Sequence, residues 1–173
     1  MNIKIFLTQY SIIFIIMSSY GQSKDKGKII SGDFGKIKYD SVVLINFRNV
    51  KNNDFISNGK LNSVAIINKK TLTKCQIDTL NYYLFNTKTY GGYPPSCFNN
   101  QIGIIYFRLG KIVGHIGVSF ECNSILPSVG IGAMQYENFH DDKYDFAFYS
   151  GLSKNGKTSI LKLFNRLNFT VSK

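Results

Sequence analysis

The sequence predicts a single α+β domain built on an antiparallel sheet. Two β-branched, apolar runs flank a short turn in the middle of the chain and predict a hairpin over about residues 102–120. Apolar residues recur at helical spacing before and after that hairpin, and they predict helices over about residues 72–86 and 157–167. No internal repeat or low-complexity tract divides the chain, so these elements are expected to share one core.

The first 21 residues have the pattern of a secretory signal peptide. Lys4 gives a positive start, a run rich in Ile, Phe and Leu follows, and small residues precede Gln22. The alternative is a retained membrane anchor, which needs about 20 apolar residues, whereas Thr8 and Gln9 interrupt a run that is already short. The pattern therefore favours export with cleavage.

The chain is expected to consist of a cleaved signal peptide, a leader and a domain. Residues 1–21 would be removed, residues 22–33 are polar and predict a flexible leader, and residues 34–173 would form the domain. The mature protein is expected in the periplasm or outside the cell, with no transmembrane span.

Two strands and a helix are predicted before the hairpin. Residues 39–47 and 63–67 are apolar runs of strand length, separated by a loop rich in Asn, Gly and Lys. The 72–86 helix can begin at either of two N-caps, Thr71 or Thr73. Two glycines and two prolines then break the helical pattern.

The sequence of the hairpin predicts how its two strands are paired. A two-residue turn at Leu109-Gly110 pairs Arg108 with Lys111 and separates apolar from polar side chains, as a half-buried sheet requires. The predicted apolar face holds Cys97, Ile105, Phe107, Ile112, Ile116, Val118, Phe120 and Cys122. The predicted polar face holds Asn100, Tyr106, Arg108, Lys111, His115, Ser119 and Glu121.

This register places Cys97 opposite Cys122, as a non-hydrogen-bonded pair where the two backbones approach closest. An exported protein meets an oxidising environment, so we expect a Cys97–Cys122 disulfide. Loop-entropy arithmetic limits its contribution to about 3 to 4 kcal/mol. Cys75 is left without a partner and is expected to be a small, half-buried side chain on the first helix.

Neither cysteine catalysis nor a zinc site has support in the sequence. A nucleophilic cysteine needs an imidazole within hydrogen-bond reach, and the register puts His115 on the face opposite both Cys97 and Cys122; only His140 stays geometrically free. Zinc ligands are usually closely spaced, and the chain has no C-x-x-C and no H-x-x-x-H. We predict no metal site.

Three stretches, "LTKCQIDTLNYYLF", "CFNNQIGIIYF" and "GKIVGHIGVSFEC", resemble a group of small exported bacterial proteins of unknown function. That group similarly orders a helix, a Cys-aromatic start, an aliphatic hairpin and a Cys-Phe-x-Cys end, and it closes with a short amphipathic helix. The resemblance covers about residues 72–125 and the last twenty residues. This chain differs at Ser119, where the group usually has a cysteine. The resemblance implies no activity.

The charge of the chain suits an anionic partner. It carries 21 basic and 10 acidic side chains, a formal net charge of +11, of which cleavage would remove only Lys4. The bases are spread along the chain, which is typical of a solvated surface and also of attraction to anionic material. Only three are Arg, whereas specific nucleic-acid readers depend on the planar guanidinium. We expect an anionic envelope component or another protein as partner, and no specific nucleic acid.

The stretch "ENFHDDKYD" gathers four acidic residues and a histidine. A solvated acidic loop is the simplest interpretation, and a Ca²⁺ site is disfavoured because the spacing is not that of an EF-hand loop. If the protein were a hydrolase, Glu137, His140 and Asp141 would be the candidate acid and base. The leading hypothesis is instead a non-enzymatic binding or structural protein of the cell envelope.

The stretch "GLSKNGKTS" matches the spacing of a phosphate-binding loop through Gly151, Gly156, Lys157 and Thr158. A strand is predicted before it, at residues 143–150, and a helical stripe after it. The match is short enough to arise by chance, and only a short segment follows Thr158, too little for the strand that carries the Mg²⁺-binding Asp.

We therefore interpret "GLSKNGKTS" as the start of a helix. Gly151 and Gly156 would be turn residues, and Ser153 or Asn155 would cap the exposed N–H groups. No cofactor is expected.

The predicted disulfide has a direct chemical test. Thiol titration of the denatured, unreduced protein should find one free thiol, that of Cys75, because the other two cysteines are joined. Three reactive thiols would disprove the pairing.

Overall fold

The computed structural model describes residues 34–48, 55–93, 97, 100–134, 136–141 and 144–169. For residues 136–141, residues 144–149 and Ser57, the description is limited to the backbone. The predicted signal peptide at residues 1–21 and the leader at residues 22–33 lie outside these ranges and stay predictions.

The described part is an α+β domain, as the sequence predicts. Its two α-helices are α1 (Lys74–Leu84) and α2 (Lys154–Arg166). Its strands are, in chain order, β1 (Ser41–Phe47), β2 (Ile56–Ser57), β3 (Lys60–Leu61), β4 (Ile66–Thr71), β5 (Tyr90–Gly92), β6 (Ile102–Arg108), β7 (Lys111–Ser119), β8 (Ser124–Pro127), β9 (Tyr136–Asp141), β10 (Tyr144–Tyr149) and β11 (Gly151–Leu152).

One antiparallel sheet of five strands, in the order β4-β1-β6-β7-β8, organises the fold. Three two-stranded ribbons, β2–β3, β5–β11 and β9–β10, accompany it. The predicted hairpin is the β6–β7 pair at the centre of the main sheet. Its turn is the predicted one: Leu109 and Gly110 both have positive φ, at 51° and 73°, as a two-residue hairpin turn of this kind requires.

Both helices begin at side-chain caps that the sequence indicates. Thr73 caps α1 in a reciprocal arrangement with Gln76, in which each side chain bonds the other residue's backbone N–H. Ser153 caps α2, and its Oγ accepts from the N–H of Gly156 at 3.0 Å. As a result α2 starts at Lys154, three residues earlier than predicted.

The predicted hairpin register holds only next to the turn. Phe107 pairs with Ile112 as expected, but Tyr106 then pairs with Gly114, so Val113 is an extra residue in β7. Beyond this bulge every partner is shifted by one. The predicted division of the hairpin into an apolar and a polar face is therefore wrong.

The sheet is buried on both faces, which corrects the expectation of a half-buried sheet. The first face receives Tyr106 with Ile104 and Ile116, and it is covered by the two helices. The largest buried side chains of this main core are, besides these three, Phe34, Leu44, Leu80, Leu84, Ile102, Phe164 and Phe169.

The second face forms a smaller core, the Phe55 core, which consists of Ile45, Phe47, Phe55, Ala65 and Ile105. Ile56 of β2 and Leu61 of β3 pack against it from the outside. His115 also faces this core, with its ring edge-on to Phe55 at 5.4 Å between centroids. Burial lowers the pKa of His115, because the core disfavours the charged imidazolium.

Tyr106, predicted on the polar face, is fully buried, and its hydroxyl group is satisfied by α1. The Tyr106 O–H donates to Oδ1 of Asn81 at 2.9 Å, and Nδ2 of Asn81 donates to the Tyr39 hydroxyl oxygen at 2.7 Å. Burial raises the pKa of Tyr106. This chain of hydrogen bonds removes the penalty of burying the phenol and ties α1 to the sheet.

The predicted disulfide is present, although its place in the fold differs from the prediction. Cys97 and Cys122 are bonded with their Cα atoms 4.9 Å apart. They do not face each other across the β6–β7 ladder, because Cys122 lies in the turn between β7 and β8. Cys75 is unpaired and exposed, not half-buried as expected.

Two further expectations are corrected. The strand predicted at residues 63–67 lies further along the chain, as β4, because residues 63–65 form a turn. The segment expected to be an acidic loop contains β9, which pairs with β10. The strand predicted at residues 143–150 is confirmed as β10.

The half-buried imidazole of His115 predicts a pH-dependent stability. The folded state binds the His115 proton less tightly than the unfolded chain does, and in the unfolded chain the pKa of a histidine side chain is about 6.5. The free energy of unfolding should therefore be highest above that pH, fall as pH drops below it, and level off below the folded-state pKa. Urea unfolding between pH 8 and 5 measures this slope.

Matched histidine variants assign the effect. His115→Gln should flatten the slope, whereas His140→Gln, which changes the other histidine of the chain, should retain it. An unchanged slope in His115→Gln would contradict the assignment.

Candidate functional site

Among the described residues, a groove of about 740 Å³ lies beside the start of α2. We call it the α2 groove. Its volume falls in the range of about 300–1,000 Å³ that is typical of small-molecule pockets. It is lined by Gly91, Gly92, Tyr93, Asn123, Leu152, Ser153, Lys154 and Lys157.

The lining residues come from three separate parts of the chain. The β5–β11 ribbon joins two of them, since Gly92 pairs with Gly151 and Tyr90 with Leu152. Ser153 continues this connection, because its N–H donates to the Thr89 carbonyl at 2.9 Å and its Oγ donates to the Lys88 carbonyl at 2.8 Å. The first turn of α2 is thereby fixed against the segment that leads into β5.

Gly156 permits this close packing. It lies inside α2 and is buried, and a Cβ at this position would overlap the backbone carbonyl of Thr89. A larger residue would push α2 away from the Thr87–Thr89 turn and from one wall of the groove. The glycine therefore serves helix packing.

The opposite wall is held by the turn that contains Cys122. Asn123 has a positive φ of 52°, and its Nδ2 donates to the Tyr93 carbonyl at 3.1 Å. The disulfide joins the same turn to Cys97, four residues after Tyr93. Tyr93 itself leaves its side chain free, with 90% of the residue exposed.

Lysines fix both ends of α2 and also give the groove its charge. Nζ of Lys157 donates to the Phe120 carbonyl, and Nζ of Lys70 donates to the Leu167 carbonyl at the other end of the helix. Lys154 is exposed at the groove, and none of the described lining residues is acidic. The ammonium groups therefore create a positive local potential.

The residues that match a phosphate-binding loop do not form one loop. Gly151 belongs to β11, whereas Gly156, Lys157 and Thr158 all lie within α2. The Thr158 hydroxyl donates to the Lys154 carbonyl at 2.8 Å. The prediction that Ser153 caps a helix start here is confirmed, whereas the expectation that Gly151 and Gly156 are turn residues is wrong. The same stretch also supplies four residues of the α2 groove.

The candidate acid and base residues lie on the β9–β10 ribbon. Backbone pairing puts His140 opposite Asp145, Asp141 opposite Tyr144 and Glu137 opposite Phe148. Their side chains are outside the described part of the structure, so the hydrolase hypothesis stays an untested prediction. Among the side chains that are described, no three His, Cys, Asp or Glu residues gather as metal ligands.

Sequence reasoning missed Tyr93, Asn123 and Lys154 as site residues. The segment around Tyr93 reads only as a helix breaker, and the one local signal is the pair of glycines before it, which allows close backbone packing. The approach of Asn123 depends on the disulfide and on a left-handed backbone conformation, neither of which marks a binding residue.

Comparison with known proteins adds no relative. No protein-family model matches the chain, and comparisons with curated proteins and with solved structures likewise find no match. None of the helices in the described ranges is both long and apolar enough to cross a membrane.

The contact at Gly156 makes a prediction of definite sign. Helix propensity alone favours alanine over glycine by about 1 kcal/mol. We expect Gly156→Ala instead to lower the free energy of unfolding by about 1–3 kcal/mol, because the new methyl group meets the Thr89 carbonyl. Urea denaturation measures the change.

Asn155→Ala is the control, since Asn155 is the exposed neighbour of Gly156 in the same turn. It should leave stability within about 0.5 kcal/mol of the parent protein. A Gly156→Ala variant more stable than the parent would contradict the packing argument.

Proposed function

We propose that this protein is an exported, non-enzymatic binding protein of the cell envelope that recognises an anionic partner. The observation that carries the proposal is the imbalance of charge on the described surface. The described side chains include fourteen of lysine and arginine and three acidic ones, those of Asp40, Asp78 and Glu121. Three carboxylates cannot neutralise fourteen cations, so a net positive field extends into solvent.

The acidic side chains are also already engaged. Asp78 pairs with Lys74 at 3.4 Å. Asp40 accepts from the Leu109 N–H at 2.6 Å at the hairpin turn, and this bond lowers the pKa of Asp40. Glu121 accepts from Nε2 of Gln101 at 3.4 Å. These contacts support the turn, helix and loop to which each residue belongs, and they leave most of the lysines to an external partner.

The covalent structure supports the proposed compartment. Disulfides persist mainly in oxidising environments such as the periplasm and the extracellular space, and Cys97–Cys122 is one. The pattern of residues 1–21 supports the same compartment. Export and an anionic partner together favour material of the cell surface.

Retention by envelope material tests the proposed function. The purified, oxidised protein should bind the insoluble envelope fraction at about 0.05 M salt, and retention should fall about tenfold at about 0.5 M salt, because screening weakens charge attraction. Co-sedimentation measures both values. Albumin, an acidic protein, serves as the control and should not be retained.

Absence of retention at the lower salt concentration would contradict the proposed function. Retention that is equal at both salt concentrations would contradict the role of charge. Intact mass of the exported protein gives an independent check of the compartment, since cleavage before Gln22 removes residues 1–21.

A further inference from the structure

The α2 groove combines positive charge with polar side chains. Lys154 is exposed at its rim, Lys157 lies one helical turn further on, and Asn123 and Ser153 add amide and hydroxyl groups. The carboxylate nearest along the chain to these residues is that of Glu121, which Gln101 engages. An anionic ligand would therefore meet attraction in the groove without a facing acidic side chain among the lining residues.

One of the described lining residues, Tyr93, is aromatic. Tyr93 is 90% exposed, and the Asn123 bond to its carbonyl fixes its backbone. An exposed tyrosine presents an apolar ring face together with a hydroxyl group, so it suits ligands that are themselves part apolar and part polar. Sugar rings are of this kind, because one face carries C–H groups and the rim carries hydroxyls.

The apolar lining is too small for a typical peptide partner. Among the described lining residues, the one large apolar side chain apart from Tyr93 is that of Leu152, which is only 2% exposed. Peptides and proteins usually bind through aromatic or aliphatic anchors that fill apolar pockets. A groove with cations, an amide, a hydroxyl and one flat ring instead fits a hydroxyl-rich, charged chain.

We propose that the α2 groove binds an anionic polysaccharide, with Tyr93 against a sugar ring and Lys154 and Lys157 beside its carboxylate or phosphate groups. This inference rests on the proposed function and specifies it, because it names both the class of the partner and the place where it binds. The Asn123 amide, which donates one hydrogen bond to the Tyr93 carbonyl, would contribute further hydrogen bonds to the sugar hydroxyls.

Defined oligosaccharides test the proposal with the full, oxidised protein. Oligogalacturonate supplies carboxylates, its methyl ester supplies the same sugars without charge, phosphorylated dextran supplies phosphate, and polyglutamate supplies carboxylates on a peptide. Calorimetric titration at low salt should show binding of at least one charged polysaccharide. The methyl ester should bind about tenfold more weakly than oligogalacturonate, since it lacks the charges.

Two exposed residues and two matched controls locate the site. Lys154→Gln should weaken binding about threefold and Tyr93→Ala about fivefold. Lys162→Gln removes an exposed lysine from the same helix, about 12 Å further along its axis, and should change affinity less than twofold. Tyr82→Ala removes another exposed ring, on α1, and should likewise have little effect.

Each remaining outcome has a definite meaning. Equal losses in Lys154→Gln and Lys162→Gln would overturn the groove while leaving the proposed function intact, because charge would then act without a site. Tighter binding of polyglutamate than of any polysaccharide would overturn the ligand class. Binding of neither charged polysaccharide overturns the inference, and failure to bind envelope material as well removes the proposed function with it.

Discussion

One extra residue in β7 decides which side chains each face of the central sheet receives. Phe107 pairs with Ile112, but Tyr106 pairs with Gly114, so Val113 is passed over. Because side chains alternate along a strand, a register without this bulge would exchange the two faces of the rest of β7. Ile116 would then leave the helix-covered core. Both cores depend on this local irregularity, because it decides which β7 side chains each of them receives.

The elements that follow local rules could be predicted from sequence. The Leu109-Gly110 turn, the caps Thr73 and Ser153, and the helical stripes all express conformational preferences of a few neighbouring residues. The bulge could not be predicted, since Val113 and Gly114 are compatible with either register. The burial of Tyr106 could not be predicted either, because its hydrogen-bond partner Asn81 lies 25 residues away on α1 and no local pattern pairs the two residues.

The α2 groove could not be predicted from the sequence either, because its residues come from distant segments of the chain. Its lining joins residues 91–93, Asn123 and residues 152–154 with Lys157, and no spacing rule connects these segments. The stretch "GLSKNGKTS" lies at the groove, but it does not form the phosphate-binding loop that its spacing suggests. Its lysines belong to a packed helix whose Gly156 rests on the Thr89 carbonyl. The disulfide was predicted correctly although the register behind the prediction was wrong, because chain proximity near the hairpin ends brings the cysteines together in either register.

The same disulfide bears on how the chain finds its fold. A bond with a sequence separation of 25 residues encloses β6, its turn and β7, so the two central strands belong to one small covalent ring. Once the ring has closed, the pairing of these strands is a local search with little loop entropy to lose. Within the main sheet, the most distant encounter that remains is that of β1 with β6, where Ser41 meets Phe107. Oxidation before folding would therefore hold the β6–β7 hairpin together in the unfolded chain, and the docking of β1 onto β6 would remain the slow step.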